Sequence, residues 1–396
     1  MNMDGFSEKK MSVEVPADTK PNDVNHNRLF LLDANAAWRV LSETQQFLHV
    51  PTTFDQHDPR KSTRISCMSD THGKHRLVKI PKCDVLIHGG DFSQNGEEHA
   101  ITDIAAFFEE VVQEGIAKKV ICIAGNHDTS FHPGCYLRNL QKIKHWDHEM
   151  VLSEMDKAAD VKQYLKARCT YLEDESCIEN TKFYGSPWSP KYSLHWAFNK
   201  ERDEIHTAWD LIPNDTDVLI THGPPIGRGD KVHNGIRAGC VNLLEQTQHR
   251  IVPRLHISGH IHEDSGCTFD GYTLFVNASN CSIRCRPVQP CIVIDLPHDL
   301  SERAKVVIPK CTFDGSDVLK WLKSRGYDTL YPYFEKRKPL LCGKDLVKED
   351  LDLDHIANTL RFQGNQKLDK NTRKALLDLK QKLAQAIMHL RSESYL

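Results

Sequence analysis

The chain has 396 residues, of which 39% are apolar and 27% charged, and it carries a formal net charge of -3. That balance excludes a fibrous or wholly disordered chain, and the lack of a large positive field excludes electrostatic capture of long nucleic acid. One α/β core with terminal extensions fits the length, and small phosphorylated ligands stay open if cations held in a pocket supply the positive charge.

Met1–Lys61 reads as a polar, partly flexible N-terminal extension without a signal-length apolar run. Within it, Leu31, Leu32, Trp38, Leu41 and Phe47 predict a short helix somewhere in Leu29–Val50. No stretch approaches a transmembrane span, so a cytoplasmic location is expected. There the 13 cysteines stay reduced, and the sequons at Asn214, Asn277 and Asn280 go unmodified.

From Thr63 onward, short apolar runs alternate with helical patterns, as expected of strands buried on both faces. Strands are predicted at Arg64–Met68, Asp84–His88, Lys119–Ala124, Lys182–Gly185, Asp217–Thr221, Leu255–Ser258, Tyr272–Val276 and Cys291–Leu296. Glu97–Glu114 places Ile104, Phe107, Phe108 and Val111 on one helical stripe that stops at Gly115, and Gly239–Gln248 predicts a second connecting helix. The architecture is therefore layered α/β, with a core domain over 62–297. Residues 298–396 form a C-terminal extension with a predicted helix at Val318–Arg325. A second, amphipathic helix at Asp369–Leu390 is suited to docking on the core, a protein partner or a second copy.

The chemistry sits where strands end. Asp70 and His72 follow the first strand, Asp91 the second, Asn126 and His127 the third, His222 the Asp217 strand, and His260 with His262 the Leu255 strand. Open α/β sheets place their sites at carboxyl ends of strands. Each fragment alone is weak, and a lone histidine is more often structural than a ligand. Five of them, each directly after an apolar strand, together make a strong signal.

Imidazole nitrogen with carboxylate or amide oxygen, and no thiolate, suits two divalent ions, with Mn placed before Fe, Zn or Mg. Asp91 has oxygens enough to bridge both. Ions held about 3.5–4 Å apart lower the pKa of a shared water and clamp the attacking and leaving oxygens of an in-line displacement at phosphorus. His127, not needed as a ligand, is placed to protonate the leaving oxygen.

The ordered set DTH, GGD, GNHD, THG and GHIH resembles the calcineurin-like metallophosphoesterase superfamily. The segments RISCMSDTHG, DVLIHGGDF, VICIAGNHD, FYGSPWSP, LITHGPPIGRGD, LHISGHIHE and GYTLFVNAS are similar to its metallophosphoesterase-domain-containing family over roughly Ser62–Pro297. The resemblance implies a four-layer β-sandwich flanked by helices. It implies that Asp70, His72, Asp91 and His262 hold one ion, that Asp91, Asn126, His222 and His260 hold the other, and that His127 is the catalytic acid. It implies a phosphodiesterase of small nucleotides, cyclic nucleotides included, working by attack of a hydroxide shared between the two ions. Some members have Gly where this chain has His260, which weakens the second site, and Asp128 stands where Glu is common.

Other residues weigh less. Tyr184, Trp188 and Trp196 are candidates for a wall on which a base stacks, with core packing the competing reading. Arg228 and His233, in the loop after His222, are candidate contacts to phosphate or ribose, beside Asn126, His127 and His222. Cys267, Cys281, Cys285 and Cys291 match no familiar metal spacing, and His145 and His148 read as a solvated face. The missing Gly-Asp-x-x-Asp-Arg-Gly pattern, Asp91 being followed by FSQNG, argues against a protein phosphatase. A nucleotide-binding scaffold with vestigial catalysis is the alternative, and intact His260 favours the enzyme.

Overall fold

The computed structural model describes residues 32–54, 57–142, 146–178 and 181–308. The predicted helices at Val318–Arg325 and Asp369–Leu390, and His145, lie outside these residues. Described residues within 32–51 and 63–304 belong to one compact unit, and the described parts of a second are 52–54, 57–62 and 305–308. In that second unit, β1 (Thr52–Phe54) runs parallel to Lys305–Ile308, with Thr52 opposite Val306.

The first unit is built on two sheets. In one, β2 (Ser62–Met68), β3 (Cys83–His88), β4 (Ala117–Cys122) and β5 (Thr170–Tyr171) are parallel neighbours in chain order. The strand Ile292–Pro297 returns to the far side of β2. The other sheet holds β6 (Glu175–Ile178), β7 (Lys182–Ser186), β10 (Val218–Thr221), β11 (Leu255–Ser258), β12 (Gly266–Phe269) and β13 (Leu274–Asn277), in the order β12-β13-β11-β10-β7-β6. A short ribbon, β8 (Ser189–Pro190) with β9 (Asn199–Lys200), stands apart from both. All eight predicted strands are present, each within two residues of its predicted start.

Alternation along these strands explains the layers. Met68, Leu86, Val120 and Cys122 turn outward and pack with Ile101, Ile104 and Phe108 of the helix Glu98–Gln113 and with Val161 and Leu165 of the helix His148–Lys166. Tyr184 and Leu219 turn outward on the other sheet against Ile205, Trp209 and Leu243. The residues between, Ile65, Cys67, Val85, Ile87 and Ile121 on one sheet and Phe183, Val218, Ile220 and Ile257 on the other, are buried at the inner faces. The result is helix, sheet, sheet, helix.

The N-terminal helix forms over Ala34–Leu41, where the Asp33 side chain caps the amides of Asn35 and Ala36, both at 3.0 Å. Ala34 and Ala37 pack on Ile226, Val241 and Leu244, with Trp38 and Leu41 beside them. The helix Ala34–Leu41 therefore packs on the core that an N-terminal extension was expected to flank. His148, read as part of a solvated face, opens a 19-residue helix capped by Asp147. Its buried stripe is thin, Val151, Ala158, Val161 and Leu165 among charged residues, which hid the helix from its periodicity. Asn277 and Asn280 are buried, and the Asn277 amide donates to the carbonyls of Gly229 and Ile261, so neither sequon is exposed. No helix among the described residues is long and apolar enough to cross a membrane.

Candidate metal centre

The predicted residues converge at the carboxyl ends of β2, β3, β4, β10 and β11, and the backbone there is bent to deliver them. Asp70 (φ 54°), His72 (44°), Asp91 (55°) and His260 (68°) all have left-handed backbone. Asp and His tolerate that region better than most residues, yet each costs of order 1–2 kcal/mol, so the surrounding structure must enforce it. It does so through backbone bonds between loops: Asp70 N–H donates to Gly90 O at 2.9 Å and His72 N–H to Asp91 O at 3.0 Å. The amide of His260 donates to both carboxylate oxygens of Asp70 at 2.9 Å, and Ser279 Oγ donates to one of them at 2.8 Å.

Two glycines have a role that periodicity could not show. A Cβ at Gly125 would overlap the Asp91 carboxylate, and one at Gly259 would overlap Asp70 and Ser69. Only glycine lets the loops after β4 and β11 close onto these carboxylates.

Asp70, His72 and His262 bring ligand atoms within 4.8 Å of one another, and so do Asp91, His222 and His260, while His72, Asp91 and His127 form a third group joining the two. Asn126 Oδ1 lies 2.9 Å from His222 Nε2 and completes the second set. Among the described residues these are the groups that can hold a metal ion, and none includes a cysteine.

The outer nitrogens decide what the inner ones offer. Nδ1 of His72, His222 and His262 lies 3.2, 2.9 and 2.9 Å from the backbone carbonyls of Ser93, Gly89 and Ser282. A carbonyl only accepts, so each Nδ1–H donates, and in the neutral ring the Nε2 lone pair turns into the cluster. His72 Nε2 and His262 Nε2 then stand 3.2 Å apart, and His222 Nε2 faces the Asn126 oxygen. Acceptor against acceptor is repulsive unless a proton or a cation lies between.

The titration behaviour agrees. Burial drives the imidazoles of His222 and His262 down, but Asp91 beside the first and Asp70 beside the second hold both up at about 9. Burial pushes the two carboxyls up, yet His262 for Asp70, and His222 with His127 for Asp91, keep both well below the usual carboxylate range. His260, desolvated and facing His222, falls to about 3. The donor set of four imidazoles, two carboxylates and an amide oxygen fits two divalent ions sharing Asp91, with Asp70, His72 and His262 on one side and Asn126, His222 and His260 on the other.

His127 is held differently. Its amide donates to Asp91 Oδ1 and its Nδ1 to Gln94 O, both at 2.7 Å, and its ring packs on Trp196 with centroids 3.9 Å apart. Asp128 is buried, and its carboxylate accepts from the amides of Asp91, Gly125 and Ser93 and from Ser93 Oγ at 2.7–2.9 Å. Burial and the neighbouring charge of Asp91 push its carboxyl up to about 7, against four donors that favour the ionised form. It ties the loops after β3 and β4 together.

Four candidate contacts are redirected. Arg228 is 1% exposed, its guanidinium stacked on Phe47 and Phe275 with Nη2 on Gln45 Oε1 and Gln46 O. It anchors the N-terminal segment and does not face the cluster. Tyr184 and Trp188 belong to the core, Trp188 donating to Asp174. His233 is exposed and pairs with Glu263, next to His262.

Sequence reasoning missed Tyr192, whose hydroxyl lies 3.1 Å from Asn126 Nδ2 and whose ring stands over His260. It also missed Gln94, Ser279 and Ser282. Ser279 follows β13, a predicted strand, so the strand-end rule that found the other ligands would have flagged it.

A sequence model of the calcineurin-like phosphoesterase family matches residues 63–264 of this chain. The chain is 40% identical over 260 residues to metallophosphoesterase domain-containing protein 1 of Homo sapiens and to that of Mus musculus, covering 62% of this chain and 75% of each of those proteins. It is 34% identical over 278 residues to a UPF0046 protein of Caenorhabditis elegans, covering 67% of this chain and 68% of that one.

Proposed function

Because this chain belongs to the calcineurin-like phosphoesterase family, and within it to the metallophosphoesterase-domain-containing proteins, we propose that this metal-dependent phosphoesterase is a phosphodiesterase of small nucleotides, cyclic nucleotides among them. The observation that carries the reading is the cluster itself: seven ligand side chains in two sets that share Asp91, with a histidine beside them that is not needed as a ligand.

A divalent pair, when bound, supplies a nucleophilic water at neutral pH and positive charge for the phosphoryl oxygens. The protein's part is positional. Asp91 is oriented by the His127 amide, Asp70 by Ser279 and the His260 amide, and the three imidazoles by their backbone carbonyls. His127, its Nδ1–H committed to Gln94 O, presents Nε2 to the leaving oxygen and delivers the proton as the ester bond breaks. Asn126 would contribute a neutral amide, and His222 an imidazole made neutral once a bound cation displaces its proton. Small nucleotides suit a site whose positive charge is local in a chain of net charge -3.

The test is hydrolysis of bis(p-nitrophenyl) phosphate by metal-stripped protein after Mn²⁺ is returned, run beside Asp91→Asn. Turnover restored by metal and lost in the variant is the expected result. Bound metal without turnover moves the assignment to nucleotide binding alone.

A further inference from the structure

No ligand motif marks the loop between the short strands β8 and β9, yet it holds Asn126 and His127 from outside. Its ends are tied by Lys191 N–H donating to Lys200 O at 2.7 Å and Ser189 N–H to Phe198 O at 2.9 Å. Ala197 N–H donates to Asn126 O at 3.0 Å, and Trp196 packs on the His127 ring. The carbonyls of Leu194 and His195 accept from the side chains of Arg138 and Asn139 at 3.1 and 2.9 Å. Side chains carried on a loop fixed in this way are preorganised, so little ordering remains to be done when a ligand arrives.

Tyr192 stands on that loop above the second set of ligands. Its ring lies over His260 with centroids 5.6 Å apart, and its hydroxyl accepts from Asn126 Nδ2 at 3.1 Å. Nδ2 shares its amide carbon with Oδ1, the atom that faces His222 Nε2, so the phenol oxygen is one hydrogen bond away from the edge of the cluster. The direction of that bond decides what is left over. A hydroxyl has one proton to give and two lone pairs with which to accept. The Asn126 amide takes a lone pair, and among the described residues no acceptor takes the proton. The side chain is 58% exposed, so a ligand entering from solvent reaches this donor. A phenol is also uncharged at neutral pH, so it offers an anion a hydrogen bond without a cation that would pair with Asp70 or Asp91.

We propose that Tyr192 is a further catalytic residue of this centre, its hydroxyl donating to a phosphoryl oxygen of the bound ester while the Asn126 amide holds the phenol in place. The proposal rests on the phosphodiesterase reading above and adds to it a substrate contact that follows no strand end and no motif.

The test compares the full chain with Tyr192→Phe, which keeps the ring over His260 and removes only the hydroxyl. Each protein is first brought to saturation with Mn²⁺, followed by chelator competition, so that a weaker hold on metal through a loosened Asn126 is not counted. At saturation, kcat/KM for bis(p-nitrophenyl) phosphate should fall roughly ten- to a hundredfold in the variant, the size of one hydrogen bond to a charged group. The affinity for dimethyl phosphate, measured by calorimetry, should fall with it, and the urea midpoint should stay where it was because the side chain is mostly exposed. Turnover and binding within twofold of the unaltered protein overturn the proposal. A loss that disappears once metal is saturating also overturns it, and makes Tyr192 a positioning residue for Asn126. Weaker binding of dimethyl phosphate in the variant, where neither protein turns over any ester, keeps the contact and overturns the reading on which it rests.

Discussion

Asp91 and Gly125 illustrate what a motif does and does not reveal. The types and order of the ligands were legible because each follows an apolar strand, and their placement at one sheet edge needs only that strands end there. The glycines were not legible, since a loop glycine and a glycine that admits a carboxylate look alike in sequence. The structure separates them: Gly125→Ala should displace the Asp91 carboxylate without removing any ligand. Metal affinity in a chelator-competition assay should drop about tenfold or more, as for a change in a metal site's supporting shell, while Gly134→Ala, where a Cβ meets only His132 at 3.6 Å, should leave it alone.

The same residues fix a pH dependence. The pKa values of His222 and His262, at about 9, are raised above the ordinary imidazole value of 6.5. A raised folded-state pKa means that the protonated pairs with Asp91 and Asp70 stabilise the metal-free fold fully below 6.5, and that this contribution is lost as pH rises through 9. Metal binding needs neutral imidazoles, so at pH 7 it should expel about two protons, and apparent affinity should rise steeply from pH 6.5 to 8.5. Calorimetry in buffers of different ionisation enthalpy counts those protons, and a count near zero would contradict the lone-pair geometry described above.

At the scale of elements, eight strands and the helix Glu98–Gln113 were legible because burial on two faces, or on one stripe, writes a period into the chain. β5, β8 and β9, with two residues each, are too short for any period, and β6 and β12, which pair antiparallel at the edges of their sheet, are exposed or only half-buried along most of their length. Arg228 shows a different limit. Its place in a glycine-rich loop after His222 suggested substrate, but the loop's partner is an aromatic segment nearly two hundred positions earlier, and contacts of that range leave no trace in local sequence. The two readings differ in outcome. Arg228→Met should destabilise the protein by about 2–3 kcal/mol, through the lost stacking on Phe47 and Phe275 and the lost bonds to Gln45 and Gln46. Urea denaturation measures that. KM for a nucleotide ester should stay within about twofold, because no contact of the guanidinium leads to the cluster; a large rise in KM at unchanged stability would restore it as a substrate contact.

For the whole molecule, the distribution of the site along the chain sets what can be removed. The seven candidate ligands, His127 and the groups that orient them run from Asp70 to Ser282, inside the first unit and almost wholly inside the residues matched by the family. Residues 351–396, with the predicted amphipathic helix, supply none of them. Deleting Leu351–Leu396 should therefore leave bound metal and kcat/KM for bis(p-nitrophenyl) phosphate within about twofold of the full chain, as expected for sites without shared partners. The sequence predicts an apolar stripe of Leu376, Leu379, Leu383 and Ile387, and we propose for it a role other than chemistry. Sedimentation of the full and shortened chains tests the proposal that it docks on a partner or a second copy: a fall in assembly size with activity unchanged assigns the extension to association, and a fall in activity with size unchanged places part of the working site in residues that no motif marks.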